Sequence, residues 1–195
     1  MTHAPIARLA DTLAERLRAE VAIPTFARAV DELVLNSLDA GASEIVLTID
    51  VPSRSIAVRD NGHGMDRGAL GKVGERQSTS KLQTLDQLDG GLRSFGFRGE
   101  ALHALSAVAL VEMVSRPVAP AGAPTLSVVL YQGRRASLGA ATEARAPGTT
   151  VSVRDLFCNR AVWMLCAIHH GLPAQSTCLS VTHPPISTHQ RRGPF

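Results

Sequence analysis

The stretch Gly96-Phe97-Arg98-Gly99-Glu100-Ala101-Leu102 constrains this 195-residue chain most: it reads as a glycine-flanked loop feeding a helix, and it does not stand alone. Upstream lie Glu32-Leu33-Val34-Leu35-Asn36-Ser37-Leu38-Asp39-Ala40, Asp60-Asn61-Gly62-His63-Gly64-Met65 and Thr79-Ser80-Lys81, and downstream lies Gly148-Thr149-Thr150-Val151. Backbone amides at a helix N-terminus form an anion site, and Glu100 near that terminus favours the helix dipole. Two other phosphate-binding patterns are excluded. Arg67 stands where a dinucleotide fingerprint beginning at Gly62 needs its third glycine, and no Gly-x-x-x-x-Gly-Lys-Ser/Thr occurs.

Hydrophobic periodicity places these blocks on elements. Ile6, Leu9, Leu13 and Leu17 recur at helical spacing, so residues 5–19 read as an amphipathic helix. Pro24 breaks the pattern and Thr25 is an N-cap for a second helix from Phe26 to about Ala40, with Gly41 where a left-handed residue is wanted. Ile45, Leu47 and Ile49 alternate as a half-buried strand does, Pro52-Ser53 makes a turn, and residues 55–59 return. Residues 61–94 show no strong periodicity, which suits a functional or mobile segment. A helix follows from Gly99 to about Val108, with strands at 109–115, 125–131 and 149–154 and a proline-marked surface loop at 117–124.

On the second helix, an advance of about 100° per residue gathers Phe26, Val30, Leu33, Val34 and Ser37 on one side. Glu32, Asn36 and Asp39 then share the other side; this spacing alone fits a solvated helix face as well as a site. Asp60-Asn61-Gly62 alone fits an ordinary turn, and Lys81 alone a solvated loop lysine, although only Lys72 accompanies it in the whole chain.

Charge excludes little. Residues 1–155 carry 17 acidic and 17 basic side chains, so the net +3 comes entirely from Arg160, Arg191 and Arg192 and is no footprint of a nucleic-acid-binding domain. Cys158, Cys166 and Cys178 are odd in number and fit no paired-ligand metal spacing; unpaired thiols of a reducing compartment are expected. No apolar run reaches membrane-span length, and the N-terminus has no secretory signal core.

Taken together, the five blocks resemble the ATP-binding module shared by gyrase, the ninety-kilodalton heat-shock chaperone, histidine kinases and MutL, and the Gly96–Leu102 wording resembles the MutL mismatch-repair family. The resemblance covers roughly residues 5–159. It implies an α/β two-layer sandwich with a mixed, mostly antiparallel sheet and helices on one face. It implies ATP and Mg²⁺ as ligands. Glu32 would be the general base for the attacking water, and Asn36 would hold Mg²⁺, a hard cation that keeps several waters and so can manage with one protein ligand. Asp60 would accept the adenine amine, a donor-only group suited to an acceptor-only carboxylate. The remaining nucleotide-binding positions would be Asp39, Gly62, Gly64, Met65, Thr79, Ser80, Lys81, Gly96, Phe97, Arg98, Gly99, Glu100, Ala101 and Thr149. By the same resemblance the partners are another MutL homologue in a heterodimer, a MutS-type mismatch complex and, for the full-length protein, DNA; the location is nuclear in a eukaryote and cytoplasmic otherwise. Leu35 and Val73-Gly74-Glu75-Arg76 lean toward the third eukaryotic MutL homologue.

The likeness ends after Asn159, where the family's proline and basic pair give way to Arg160-Ala161-Val162-Trp163. Residues 160–195 contain no Asp, Glu or Lys, hold four of the seven histidines, and are proline-punctuated. The expected organisation is an ATPase domain at 1–159 and a disordered tail at 160–195, a truncated form lacking the family's second domain with its γ-phosphate lysine. Slow Mg²⁺-dependent ATP hydrolysis is the expected activity. A catalytically incomplete nucleotide-binding or dimerisation fragment without turnover, or another branch of the superfamily such as a kinase or topoisomerase subunit, are the alternatives.

Overall fold

The computed structural model describes residues 10–75, 100–157 and 177–182. Thr79, Ser80, Lys81 and Gly96 to Gly99 lie outside the described residues.

Helix α1 (Asp11–Ala22) precedes α2 (Phe26–Asp39). Thr25 caps α2 as expected: its side chain accepts from the Arg28 amide at 3.1 Å. The helix ends at Ala40, and Gly41 follows at φ +70°, a left-handed conformation that a glycine adopts without strain. Strands β1 (Glu44–Asp50) and β2 (Ser55–Asp60) form a hairpin. A short α3 (Arg67–Lys72) is capped by Asp66, whose carboxylate accepts from the Ala69 amide at 2.7 Å. After α4 (Ala101–Val108) come β3 (Leu110–Arg116), β4 (Leu126–Tyr131), β5 (Arg134–Ala140) and β6 (Gly148–Arg154). Strand β7 (Thr177–Thr182) completes one seven-stranded sheet in the order β5-β4-β3-β6-β2-β1-β7.

The six strand pairings among the described residues are all antiparallel, so the sheet expected to be mixed and mostly antiparallel is antiparallel wherever it is described. Its register lines the core in rows. One row runs Ile56, Val153, Val111 and Leu130; the next runs Val58, Val151, Met113 and Val128. Phe26, Ala29 and Leu33 of α2 and Ala104, Leu105 and Val108 of α4 bury against this face. Each large side chain so buried contributes about 1.5–3 kcal/mol, so the helices are held by one apolar face of one sheet.

Three elements depart from the sequence reading. Strand β5 went unseen because its sequence, Arg134-Arg135-Ala136-Ser137-Leu138-Gly139-Ala140, has one large apolar residue; it pairs with β4 through its backbone and is mostly exposed. Helix α3 falls inside the segment read as aperiodic and buries only Leu70. The expectation that all of 160–195 lacks structure does not hold for 177–182. That stretch pairs with β1 from Ile49↔Thr177 to Glu44↔Thr182. Its Leu179 and Val181 alternate as a strand's do but stay 51% and 57% exposed, so backbone pairing more than burial holds it.

Candidate nucleotide site

A third row of the core face turns polar. It runs from Ile45 through Asp60 on β2, then Thr149 on β6, Ser115 on β3 and Leu126 on β4. Asp60, Thr149 and Ser115 are buried, at 5%, 5% and 0% exposure. Polar atoms so deep must be paired, because an unmet buried donor or acceptor costs about 1–3 kcal/mol.

The pairing converges on Asp60. Its Oδ1 accepts from the Gly62 amide at 2.9 Å and from the Thr149 amide at 3.1 Å. Its Oδ2 accepts from Ser37 Oγ of α2 at 3.1 Å. An ionised carboxylate accepts about four hydrogen bonds, so one site on Oδ2 remains for a donor. The residues therefore fit the exocyclic amine of an adenine base. Ser37 was placed on the core-packing side of α2 by the helical wheel; it does lie there, and it reaches the site because Asp60 is itself on the core face.

The neighbouring loop is shaped by close packing. Asn61 turns away and ties the start of β1, its Oδ1 accepting from the Ser43 and Glu44 amides at 2.9 and 3.0 Å. Gly62 is buried beneath Ala40. Gly64 has φ +66°, and a Cβ there would meet the Arg116 carbonyl oxygen at 2.0 Å. Only glycine combines that conformation with that approach. The Met65 amide then donates to Ser115 Oγ at 2.8 Å, and Ser115 Oγ lies 3.0 Å from Thr149 Oγ1.

Arg145, in the loop before β6, lies in no sequence motif. Its guanidinium donates through Nη2 to the Asp60 carbonyl at 2.7 Å, through Nη1 to the Val114 carbonyl and Thr150 Oγ1 at 2.9 Å each, and through Nε to the Ala146 carbonyl at 3.1 Å. Burial pulls this guanidinium below its ordinary range; attraction to Asp60 opposes that shift and Arg59 adds to it. It stays protonated regardless.

The other predicted carboxylate is placed differently. Glu32, Asn36 and Asp39 share the half-buried side of α2. Glu32 is engaged by Arg28 one turn earlier in an ion pair. Asn36 could offer a carbonyl oxygen to a hard divalent ion, the donor type Mg²⁺ prefers. Among the described residues no group of three or more His, Cys, Asp or Glu could hold a metal. Glu100 is the residue before the first turn of α4 and caps it with no side-chain bond; Ala101 begins that helix. Among the described residues no helix is long and apolar enough to cross a membrane.

Comparison with known proteins agrees with this geometry. Residues 24–138 match the family described as histidine kinase-, DNA gyrase B- and HSP90-like ATPase. The chain is 37% identical over 147 residues to the DNA mismatch repair protein MLH3 of Arabidopsis thaliana, covering 75% of this chain and 12% of that protein. It is 40% identical over 156 residues to the DNA mismatch repair protein MutL of Edwardsiella ictaluri, covering 80% of this chain and 24% of that protein. The chain thus spans between about an eighth and a quarter of these relatives' lengths. A solved structure described as the N-terminal domain of a DNA repair protein superposes with TM-score 0.62 at 31% identity, covering 80% of this chain and 43% of that one. With a buried acceptor carboxylate at the polar end of an antiparallel sheet and these relatives beside it, the chain belongs to the histidine kinase-, DNA gyrase B- and HSP90-like ATPase family and is similar within it to the MutL-type DNA mismatch repair proteins.

Proposed function

We propose that residues 1–159 form an ATP-binding domain that hydrolyses ATP slowly, with Mg²⁺, as the N-terminal module of a MutL-like DNA mismatch repair protein. The observation that carries this reading is Asp60, a buried carboxylate with three donors placed on it and acceptor capacity left. Asp60 would accept the adenine amine, with Gly62, Gly64, Met65 and Thr149 shaping the base pocket around it. Bound Mg²⁺, held on the protein side by Asn36, would supply charge stabilisation at the phosphates. Glu32 would orient a water and take its proton. Asp39, Thr79, Ser80, Lys81, Gly96, Phe97, Arg98, Gly99, Glu100 and Ala101 are assigned to the nucleotide on the resemblance of their motifs. A second MutL homologue, a MutS-type complex and DNA would be the partners of the longer protein, in the nucleus of a eukaryote.

Asp60→Asn tests the reading. It replaces an acceptor oxygen with a donor that faces the adenine amine, and leaving buried polar groups unmatched lowers affinity by about ten- to a hundredfold. Calorimetric titration with ATP measures this, and unchanged affinity would refute the assignment.

The Arg28–Glu32 ion pair favours a second reading, nucleotide binding without turnover, because the carboxylate that would take the proton is already engaged by a cation. Phosphate release under saturating MgATP separates the two: a rate above buffer that Glu32→Ala abolishes supports the ATPase, and none supports the binding module.

A further inference from the structure

We propose that Arg145 is a positioning residue for base recognition, which keeps the Thr149 amide on the Asp60 carboxylate by occupying the Asp60 carbonyl. The proposal rests on the reading that Asp60 accepts the base.

The register carries it. Strand β2 pairs with β6 through Ile56↔Val153, Ala57↔Ser152, Val58↔Val151 and Arg59↔Thr150. One step further, Thr149 stands opposite Asp60. The Asn61 amide bonds the Glu44 carbonyl on the β1 side at 3.3 Å, so the polar groups of Asp60 itself point toward β6. In an uninterrupted ladder the Thr149 amide would bond the Asp60 carbonyl. Here it bonds Asp60 Oδ1 instead, at 3.1 Å. The ladder is rewired at this step: the side chain takes the strand's donor, and the main-chain carbonyl needs another. Arg145 Nη2 is that donor, at 2.7 Å.

The arginine is itself fixed. Its amide donates to Thr125 Oγ1 at 3.2 Å, and its carbonyl accepts from Arg116 Nη1 at 2.9 Å. Its other bonds reach β3 at Val114 and β6 at Thr150, so one planar fork spans the three strands that meet beneath Asp60. The space around it is closed: a Cβ added at Gly148 would lie 2.2 Å from the Asp60 carbonyl oxygen and 3.0 Å from Arg145 Nη2. Without the guanidinium, the Thr149 amide returns to the main-chain carbonyl and Oδ1 loses one of its two amides. The carboxylate is then free to turn away from the base.

The experiment compares Arg145→Met and Arg145→Lys with the parent chain. Hydrogen exchange of the Gly62 amide reports its bond to Oδ1, with Val111 and Val153 amides as the reference for the rest of the sheet. Binding of ATP and of inorganic tripolyphosphate, each with Mg²⁺, separates base from phosphate recognition. Arg145→Met should leave Thr149 protected, since its amide only changes acceptor, but raise Gly62 exchange against the reference as the carboxylate turns away, and weaken ATP about tenfold, one charge-assisted contact's worth, while tripolyphosphate changes less than about twofold. Arg145→Lys, which keeps the charge and loses the fork, should lie between; if Arg145→Met does not fold, the lysine variant carries the same comparison. Equal losses for ATP and tripolyphosphate, or Gly62 protection unchanged in a folded variant, would overturn the proposal. Should Asp60→Asn bind ATP as the parent does, the base reading fails, and the exchange data still decide whether Arg145 holds the carboxylate.

Discussion

Asp60 and Glu32 are both acidic side chains assigned to one nucleotide, and the molecule holds them in opposite ways. Asp60 is pinned from three elements: Ser37 on α2, Gly62 in the loop after β2 and Thr149 on β6, with Arg145 behind its main chain. Glu32 sits on a half-buried helix face with Arg28, itself about half exposed, as its partner. A group that recognises a base gains from a fixed position, since the donor it meets is always the same. A group that must orient a water and take its proton gains from a carboxylate that can be released. On the proposed reading, recognition would thus be written into the sheet, and the carboxylate proposed for hydrolysis would be left adjustable on the helix.

The harshest way to break this contrast is Gly148→Ala. Gly148 has φ +126°, and the added Cβ would strike the Asp60 carbonyl. Strain and clash together should destabilise the domain by about 3 kcal/mol or more, a fall in Tm of about 6–12 °C by circular dichroism, with ATP binding lost alongside. Glu32→Ala addresses the other carboxylate. It should abolish whatever turnover exists while ATP affinity stays within about twofold, because the general base contributes little to holding the ground state. Turnover equal to that of the parent would remove Glu32 from the mechanism. The smallest effect is expected from Arg28→Ala. An i,i+4 helix ion pair contributes about 0.3–0.5 kcal/mol, so Tm should fall by only about 1–2 °C. A larger loss would show that Glu32 is pinned as firmly as Asp60, and the contrast would collapse.

Much of this was legible from residue order. Thr25 and Gly41 bracket α2 by capping chemistry, which acts locally and is therefore readable. The alternation of Ile45, Leu47 and Ile49 announced β1 because one face of that strand meets the core. Asp60 emerged from its motif. Of its partners, Gly62 and Thr149 lie in motifs as well, whereas Ser37 reads as core and Arg145 lies in no motif, since what joins them to Asp60 is the packing and register of elements distant in sequence. Strands β5 and β7 were missed for a common reason. Each is an edge strand held largely by main-chain bonds to one neighbour, so neither needs the apolar alternation that betrays an inner strand. In the 177–182 stretch, Leu179 and Val181 did alternate, but the surrounding prolines and missing acidic residues outweighed them.

The place of β6 in the sheet has a consequence in time. It lies between β2 and β3, and along the order β5-β4-β3-β6-β2-β1-β7 it alone joins the β1–β2 hairpin to the β3–β4–β5 meander. Both groups of strands are complete in the chain before residue 148 is reached. During synthesis they can form as separate units while β6 is still inside the ribosome. Thr149 and Arg145 arrive with that partner, so Asp60 acquires its setting only when β6 slides home. The setting of Asp60 is thus a late product of assembly, complete once β6 has joined hairpin to meander and before β7 is added.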